Sequence, residues 1–250
     1  MTVLAKATVF VVLFVEAISA EALRDIPEFL HVCQVHQPQY ETCITNSIND
    51  LKPYLKVGVP EYNIPSLEPL MLKKLSISPS NALKIIGNDI KVYGASNFGI
   101  AKVKIDFDNL LINMNVTLPN IAIDGKYDVD GKVLLLPIRG SGPLNGNFTD
   151  CIGVCKIKIE KYFDENGIEK IRIVDFKMKI SVGNGSIKLD NLFNGEQVLG
   201  DIVNSAINGN FQLFLNELSP MIEMSLSNAF QDITDKIVQQ FSFAQLFPGA

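Results

Sequence analysis

The chain has no tryptophan, two histidines and four cysteines in 250 residues, and each shortage excludes a class of chemistry. His31 and His36 stand beside Cys33 and Pro38 rather than four apart on one helix face, so the paired-histidine helix of a metalloprotease is missing. There is no Gly-x-Ser-x-Gly run to build a nucleophile elbow. Gly140-Ser141-Gly142-Pro143 has the composition of a phosphate loop but lacks its Gly-Lys-Ser/Thr ending and opens no helix. Asp124, Asp128 and Asp130 read as solvated acids of turns. No catalytic residue, metal site or cofactor is therefore assigned. Basic clusters are missing too: the net charge is −5, and an acidic chain without a basic stripe cannot neutralise a phosphate backbone, which excludes nucleic acid as a partner. Without a Pro- or Ser-rich linker or a block of like charge, residues 21–250 read as one domain.

Long apolar runs are scarce as well. The one at the N-terminus, Ala7 to Val15, follows Lys6 and precedes the small residues Ala17, Ser19 and Ala20. It is about half the roughly 20 residues a bilayer requires, so residues 1–20 read as a cleaved signal peptide and the mature protein as secreted, with no stable membrane insertion. Three glycosylation sequons, at Asn115, Asn147 and Asn184, agree with that route. In an oxidising compartment Cys33 and Cys43, flanking a turn at Pro38, are expected to form a disulfide worth about 2–3 kcal/mol in the chain-entropy model. Cys151 and Cys155 lie on an apparent strand, where four steps separate their α-carbons by about 13 Å. That is too far for a bridge unless Gly153 folds the chain into a turn. Their spacing puts both thiols on the same face as Ile157 and Ile159, as small apolar wall residues.

What is abundant is apolar periodicity, in a chain that is 47% hydrophobic. Pro38 to Leu55 predicts a first helix, with its last turn in doubt at Pro53. From Leu70 to Leu189 the dominant period is two. Val103, Ile105 and Phe107 alternate with polar residues, as do Ile112, Met114, Val116 and Leu118, and again Val174, Phe176, Met178, Ile180 and Val182. Turn signals are expected to intervene at Asp124-Gly125, Asp130-Gly131, Gly140 to Pro143 and Glu165-Asn166-Gly167, giving an antiparallel meander with one apolar face. Alternation running back from Cys151 would point Phe148 outward, so a β-bulge near Thr149-Asp150 is expected to restore it to the inner face. After Gly195 the period becomes helical: Leu199, Ile202, Val203, Ala206, Ile207, Phe211, Phe214, Leu215 and Leu218 form a wide stripe. It resumes beyond Pro220, which is expected to kink the run or start a new helix capped by Ser219.

A curved, one-sided sheet facing a long apolar helix allows two functions. Either the faces fill each other and a secreted structural or signalling protein acts through its surface, or the curvature leaves an elongated apolar cavity suited to a lipid tail.

Several pieces together resemble the takeout and juvenile-hormone-binding family of secreted insect proteins, nearer the takeout branch. They are the signal peptide, Cys33 and Cys43, Leu136-Pro137-Ile138-x-Gly140-x-Gly142-Pro143, Phe148-Thr149-Asp150, Val174-Asp175-x3-Lys179, Leu189-Asp190-Asn191-Leu192-Phe193-Asn194-Gly195 with Leu199-Gly200, Glu217-Leu218-x-Pro220-x-Ile222-Glu223, and Phe247-Pro248. The resemblance spans essentially the whole mature chain. It implies an α+β fold in which a highly curved antiparallel β-sheet wraps a long C-terminal α-helix, a tubular lipid-binding type with an internal hydrophobic tunnel. It also implies a non-enzymatic carrier of a terpenoid hormone, fatty acid or other long-chain lipid, with roles in feeding, circadian or chemosensory physiology. A monomer that hands its cargo to a receptor fits the same picture. Relatives commonly carry Val and an aromatic residue where Cys151 and Cys155 stand, which implies a locally wider cavity. The second disulfide of the hormone-binding branch has no counterpart here. Alternation then nominates Ile112, Met114, Phe148, Cys151, Cys155, Ile157, Phe176, Met178, Ile180, Phe211 and Leu215 as ligand-facing.

Overall fold

The computed structural model describes residues 24–80 and 83–250. The signal peptide expected at 1–20 lies outside these residues. Helix α1 covers Tyr40–Val57 and strands follow at β1 (Leu70–Ser80), β2 (Leu83–Tyr93), β3 (Gly99–Asp106), β4 (Leu111–Val133), β5 (Leu136–Phe163), β6 (Glu169–Ser181) and β7 (Asn184–Leu189). Helices α2 (Gln197–Gly209), α3 (Phe211–Val238) and α4 (Phe243–Leu246) complete the chain. Helix α1 runs through Pro53 and closes at Gly58, whose N–H donates to the Tyr54 carbonyl (2.8 Å). Pro53 and Asn49, whose carbonyl the proline leaves unpaired, are both exposed, so water meets the loss. The Cys33–Cys43 disulfide is present and ties α1 to the segment before it.

All seven strands belong to one antiparallel sheet with β4 and β5 as its spine. These two pair without a register slip from Leu111↔Lys158 to Val133↔Leu136. Toward one end of the spine, β3 flanks β4 and β6 flanks β5. Toward the other, β2 flanks β4 and β7 flanks β5, with β1 outside β2. We call these the upper and lower halves.

Three of the four expected turn signals lie inside these strands; only Glu165-Asn166-Gly167 is a turn, and the β4–β5 hairpin turns at Leu134 and Leu135. The glycines have another job, admitting neighbouring atoms close to the strand backbone. A Cβ at Gly125 would lie 2.5 Å from the Ile90 side chain, which a register shift in β2 lays across it. One at Gly142 would collide with the Asp190 carbonyl, and one at Gly140 would sit 2.9 Å from both the Asn191 carbonyl and the Leu192 Cα. The corner at 189–195 is thus seated directly on β5, and the Tyr127 hydroxyl clasps it by donating to the Asp190 carbonyl (2.7 Å).

The face reversal expected at Thr149-Asp150 occurs by a different device. Leu118↔Cys151 and Asn120↔Thr149 keep the same register on either side of Pro119 and Asp150. Both strands change face together: Met114 and Cys155 pack inward above, Ile123 and Leu144 below. Asp150 takes φ 53° at the crossing.

The helical region breaks at Asn210 (φ −128°, ψ 34°), not at Pro220. Pro220 lies inside α3, about 42 Å long over its 28 residues. The Ser219 hydroxyl donates back to the Leu215 carbonyl (2.7 Å) instead of capping a new helix. On α2, Val203 and Ile207 are buried while Leu199 (47% exposed) and Ile202 (57%) face solvent, so only half of the expected stripe is core.

Candidate functional site

Helix α3 packs against β6 on one side and β1 on the other, the two ends of the strand order β1-β2-β4-β5-β6. The sheet therefore curls around the helix and closes on it. The β6 side is held by side chains four residues apart on α3. Glu223 accepts from the Ile180 N–H (3.0 Å) and from Lys179 Nζ (2.6 Å), and Ser227 Oγ accepts from the Met178 N–H (3.0 Å). Gln231 donates to the Ile173 carbonyl (3.1 Å), and Asp235 accepts from the Ile173 N–H (2.7 Å). The same spacing continues on α2, where Asn204 and Asn208 each bond both backbone groups of Leu189 and Ile187 on β7. Gln212 bridges the break between these strands by donating to the Val182 and Gly183 carbonyls. Toward β1, Ser225 donates to the Ser76 carbonyl (2.8 Å).

This polar stripe was missed by sequence reasoning, which scored the helices by their apolar periodicity. Its signal was available as Asn, Gln, Ser, Glu and Asp recurring at intervals of four within otherwise apolar helices. Glu223 is only 7% exposed, and an ionisable side chain that deep is normally engaged by partners.

Inside the tube the inward side chains form cross-strand rows in the upper half. Ile105, Ile112, Ile157 and Phe176 make one row, and Val103, Met114, Cys155 and Met178 make the next. The third is Ile100, Val116, Gly153 and Ile180. Nine of the eleven nominated residues come from the two spine strands and β6, and packing divides the whole set. Cys155, Ile157 and Phe176 are buried members of the upper core, with Ile112, Met114 and Met178 half-buried at its margin. Phe148, Cys151, Ile180, Phe211 and Leu215 are half-buried and belong neither to this core nor to the lower one. Phe230 is the residue packed against both cores.

Cys151 and Gly153 of β5 stand at the level between the two cores. Gly153 is buried and shares the inward face of Cys151 and Cys155, yet a Cβ built on it meets nothing within 4 Å. At the lower end of this level Phe148 and Phe211 approach with ring centroids 6.1 Å apart. Burial pushes the Cys155 thiol up to about 11. The Cys151 thiol is raised too, by burial first and the nearby Asp150 carboxylate second. Both are protonated and weakly nucleophilic at neutral pH.

Two surface clefts involve none of the eleven. One, of about 400 Å³, lies beside the disulfide at His31, Gln39, Asn46 and Asp50. The other, of about 610 Å³, lies between β7 and α2 at Asn147, Ser186, Asp201 and Ser205. Of the sequons, Asn147 and Asn184 are exposed and Asn115 is half-buried. No helix among the described residues is long and apolar enough to cross a membrane.

The described residues form a sheet curled around a helix, with inward apolar rows. The sequence model of the haemolymph juvenile hormone binding protein family matches residues 9–248. The chain belongs to that family. Among its relatives is the circadian clock-controlled protein daywake of Drosophila melanogaster, 27% identical over 237 residues, covering 91% of this chain and 90% of the relative. A putative beta-carotene-binding protein of Schistocerca gregaria is 21% identical and covers 85% of each chain. The crystal structure of Takeout 1 from Epiphyas postvittana superposes with a TM-score of 0.73 at 21% identity, over 87% of this chain and 99% of that one. The fold is the takeout fold, an α+β body with a curved antiparallel sheet and a long C-terminal helix, as the resemblance implied.

Proposed function

We propose that this protein is a secreted, non-enzymatic carrier that holds a small hydrophobic ligand between its two cores. The observation that carries the reading is Gly153: a buried, inward-facing position beside unfilled space, at the level where the half-buried apolar residues join neither core. Protein interiors are normally packed to crystal density, and an apolar void is costly unless something occupies it. Phe148, Cys151, Ile180, Phe211 and Leu215 line this space, while Ile112, Met114 and Met178 extend it along the upper core.

The energetics suit carriage. Burying a tail of about ten methylenes gives a gross gain near 8 kcal/mol at about 0.8 kcal/mol per CH₂. Association entropy removes several kcal/mol of it, which leaves roughly millimolar affinity for a tail of that length; a longer tail or a head-group contact makes up the difference. Membership of a binding-protein family supports the reading. The name of the locust relative, a putative beta-carotene binder, supports an extended apolar cargo, and the daywake relatives support a circadian setting. Secretion rests on the N-terminal leader and the disulfide.

The test is Gly153→Leu, which places a branched side chain in the empty space. Titration with N-phenyl-1-naphthylamine should show affinity reduced at least tenfold, with an unchanged circular dichroism spectrum. Unchanged affinity would remove the site from this level. Failure of the wild type to bind any apolar probe, or to retain lipid on native mass spectrometry, would favour a filled core and a protein that acts through its surface.

A further inference from the structure

Tyr40 opens α1 and is 8% exposed. Its hydroxyl is a buried side-chain polar atom without a hydrogen-bond partner, the only one among the described residues. The surroundings explain why: Cys33, Val35, Cys43, Ile44, Ile105, Phe107 and Phe247 form an apolar cluster around it. A buried hydroxyl left unpaired is costly, and the apolar isostere, phenylalanine, avoids that cost. A tyrosine kept in such a place calls for an account.

Its position supplies one. The Tyr40 ring lies 6.0 Å from Phe107, which lies 5.5 Å from Phe247, and both phenylalanines also pack against the upper core. Ile105, in the same cluster, heads the row that continues through Ile112, Ile157 and Phe176. The phenol therefore stands where the α1 cluster meets the upper core. From the level of Gly153 to that of Ile157 is four strand steps, about 13 Å. The side chains along that path include Met114 and Met178 at the margin of the core, and methionine re-packs more readily than any branched residue.

We propose that Tyr40 is the head-group site of the carrier: its hydroxyl donates to an uncharged oxygen, a carbonyl or a hydroxyl, at the end of an alkyl chain whose tail lies beside Gly153. This rests on the reading above and adds to it a ligand class and an orientation. A carboxylate is disfavoured, because the side chains packed around the phenol are apolar and burial among them would desolvate its charge. Burial, with Glu41 contributing second, pushes the phenol up to about 12. It remains a neutral donor throughout the physiological range.

The experiment displaces bound N-phenyl-1-naphthylamine from wild type and Tyr40→Phe with two matched chains, 2-tridecanone and tridecane. The wild type should prefer the ketone, and the variant should lose about tenfold in affinity for it while binding tridecane unchanged, as expected for one hydrogen bond. Equal ketone affinity in the two proteins would overturn the head-group assignment and leave the carrier reading standing, as would equal losses for both chains. That first outcome would mean the hydroxyl is met by a trapped water. If neither protein binds the dye, the carrier reading fails and takes this assignment with it. Tyr40→Phe removes a single oxygen from an apolar cluster, so its folding is not at issue; its melting temperature without ligand should equal or exceed that of the wild type.

Discussion

Gly142 and Gly153 lie on the same strand, β5, and do opposite things. At Gly142 a Cβ would run into the Asp190 backbone; at Gly153 it would meet nothing within 4 Å. The first belongs to the lower half, where the 189–195 corner presses on the sheet and the core is largely aliphatic, from Leu70 and Leu72 to Leu192 and Val203. The second belongs to the level where that core has ended and the upper one, with Cys155 and Phe176 and a margin of Met114 and Met178, has not closed. One half of the tube is a scaffold filled by its own chain. The other adjoins space its own chain does not fill. The same residue type in the same strand thus marks close approach in one place and vacancy in the other, and only the surroundings tell them apart.

The largest effect should come from erasing the first glycine. Gly142→Val forces β5 and the corner apart and should cost about 3 kcal/mol, read as a fall in the urea midpoint. Gly153→Val should change stability by less than about 1 kcal/mol, and equal losses from the two would collapse the comparison. Next comes the stitching of the upper half. Glu223→Ala strands the Ile180 N–H and should cost about 2–3 kcal/mol, since hydrogen bonds to a charged group are involved. Faster hydrogen exchange at the Ile180 amide would localise the damage, and an unchanged rate there would show that the contact adds little. Met178→Arg places a charge at the margin of the upper core and should weaken dye binding at least tenfold, about 1.4 kcal/mol. Wild-type affinity would take Met178 off the ligand path. The smallest effect concerns the thiols. With both raised by burial, alkylation by iodoacetamide at pH 7.5, followed by mass spectrometry, should be slow at half-buried Cys151 and slower at Cys155. Bound dye should protect Cys151 further; equal rates with and without dye would separate this residue from the site.

Much of the architecture was legible because alternation is a local signal. Ile112, Met114, Cys155, Ile157 and Phe176 could be placed on one face from period two alone, and the reversal beside Thr149-Asp150 showed as a conflict between Phe148 and Cys151. What misled was punctuation. Asp124-Gly125 and Gly140 to Pro143 look like turns because glycine permits them, yet here glycine makes room for Ile90 and the corner, partners remote in sequence. Pro220 looks like a break because it removes a donor, but one exposed carbonyl is cheap to leave to water; Asn210, with no such reputation, is where the helix stops. Leu199 and Ile202 matched the apolar stripe as well as Val203 did, and nothing local said that the sheet would cover only one of those sides. The orphaned hydroxyl of Tyr40 could not be read at all, since it depends on what surrounds a side chain in three dimensions.

The stripe of polar side chains along α2 and α3 has one more effect, on what this protein does in company. A sheet edge normally offers a row of free amides and carbonyls that any other extended chain can extend, which is how secreted β-proteins join into aggregates. Here the edge amides of Ile173, Met178, Ile180, Ile187 and Leu189 are already occupied by Asp235, Ser227, Glu223, Asn208 and Asn204. A neighbouring copy finds that strip taken, so the device that closes the tube also guards the β6 and β7 edges against pairing with another chain.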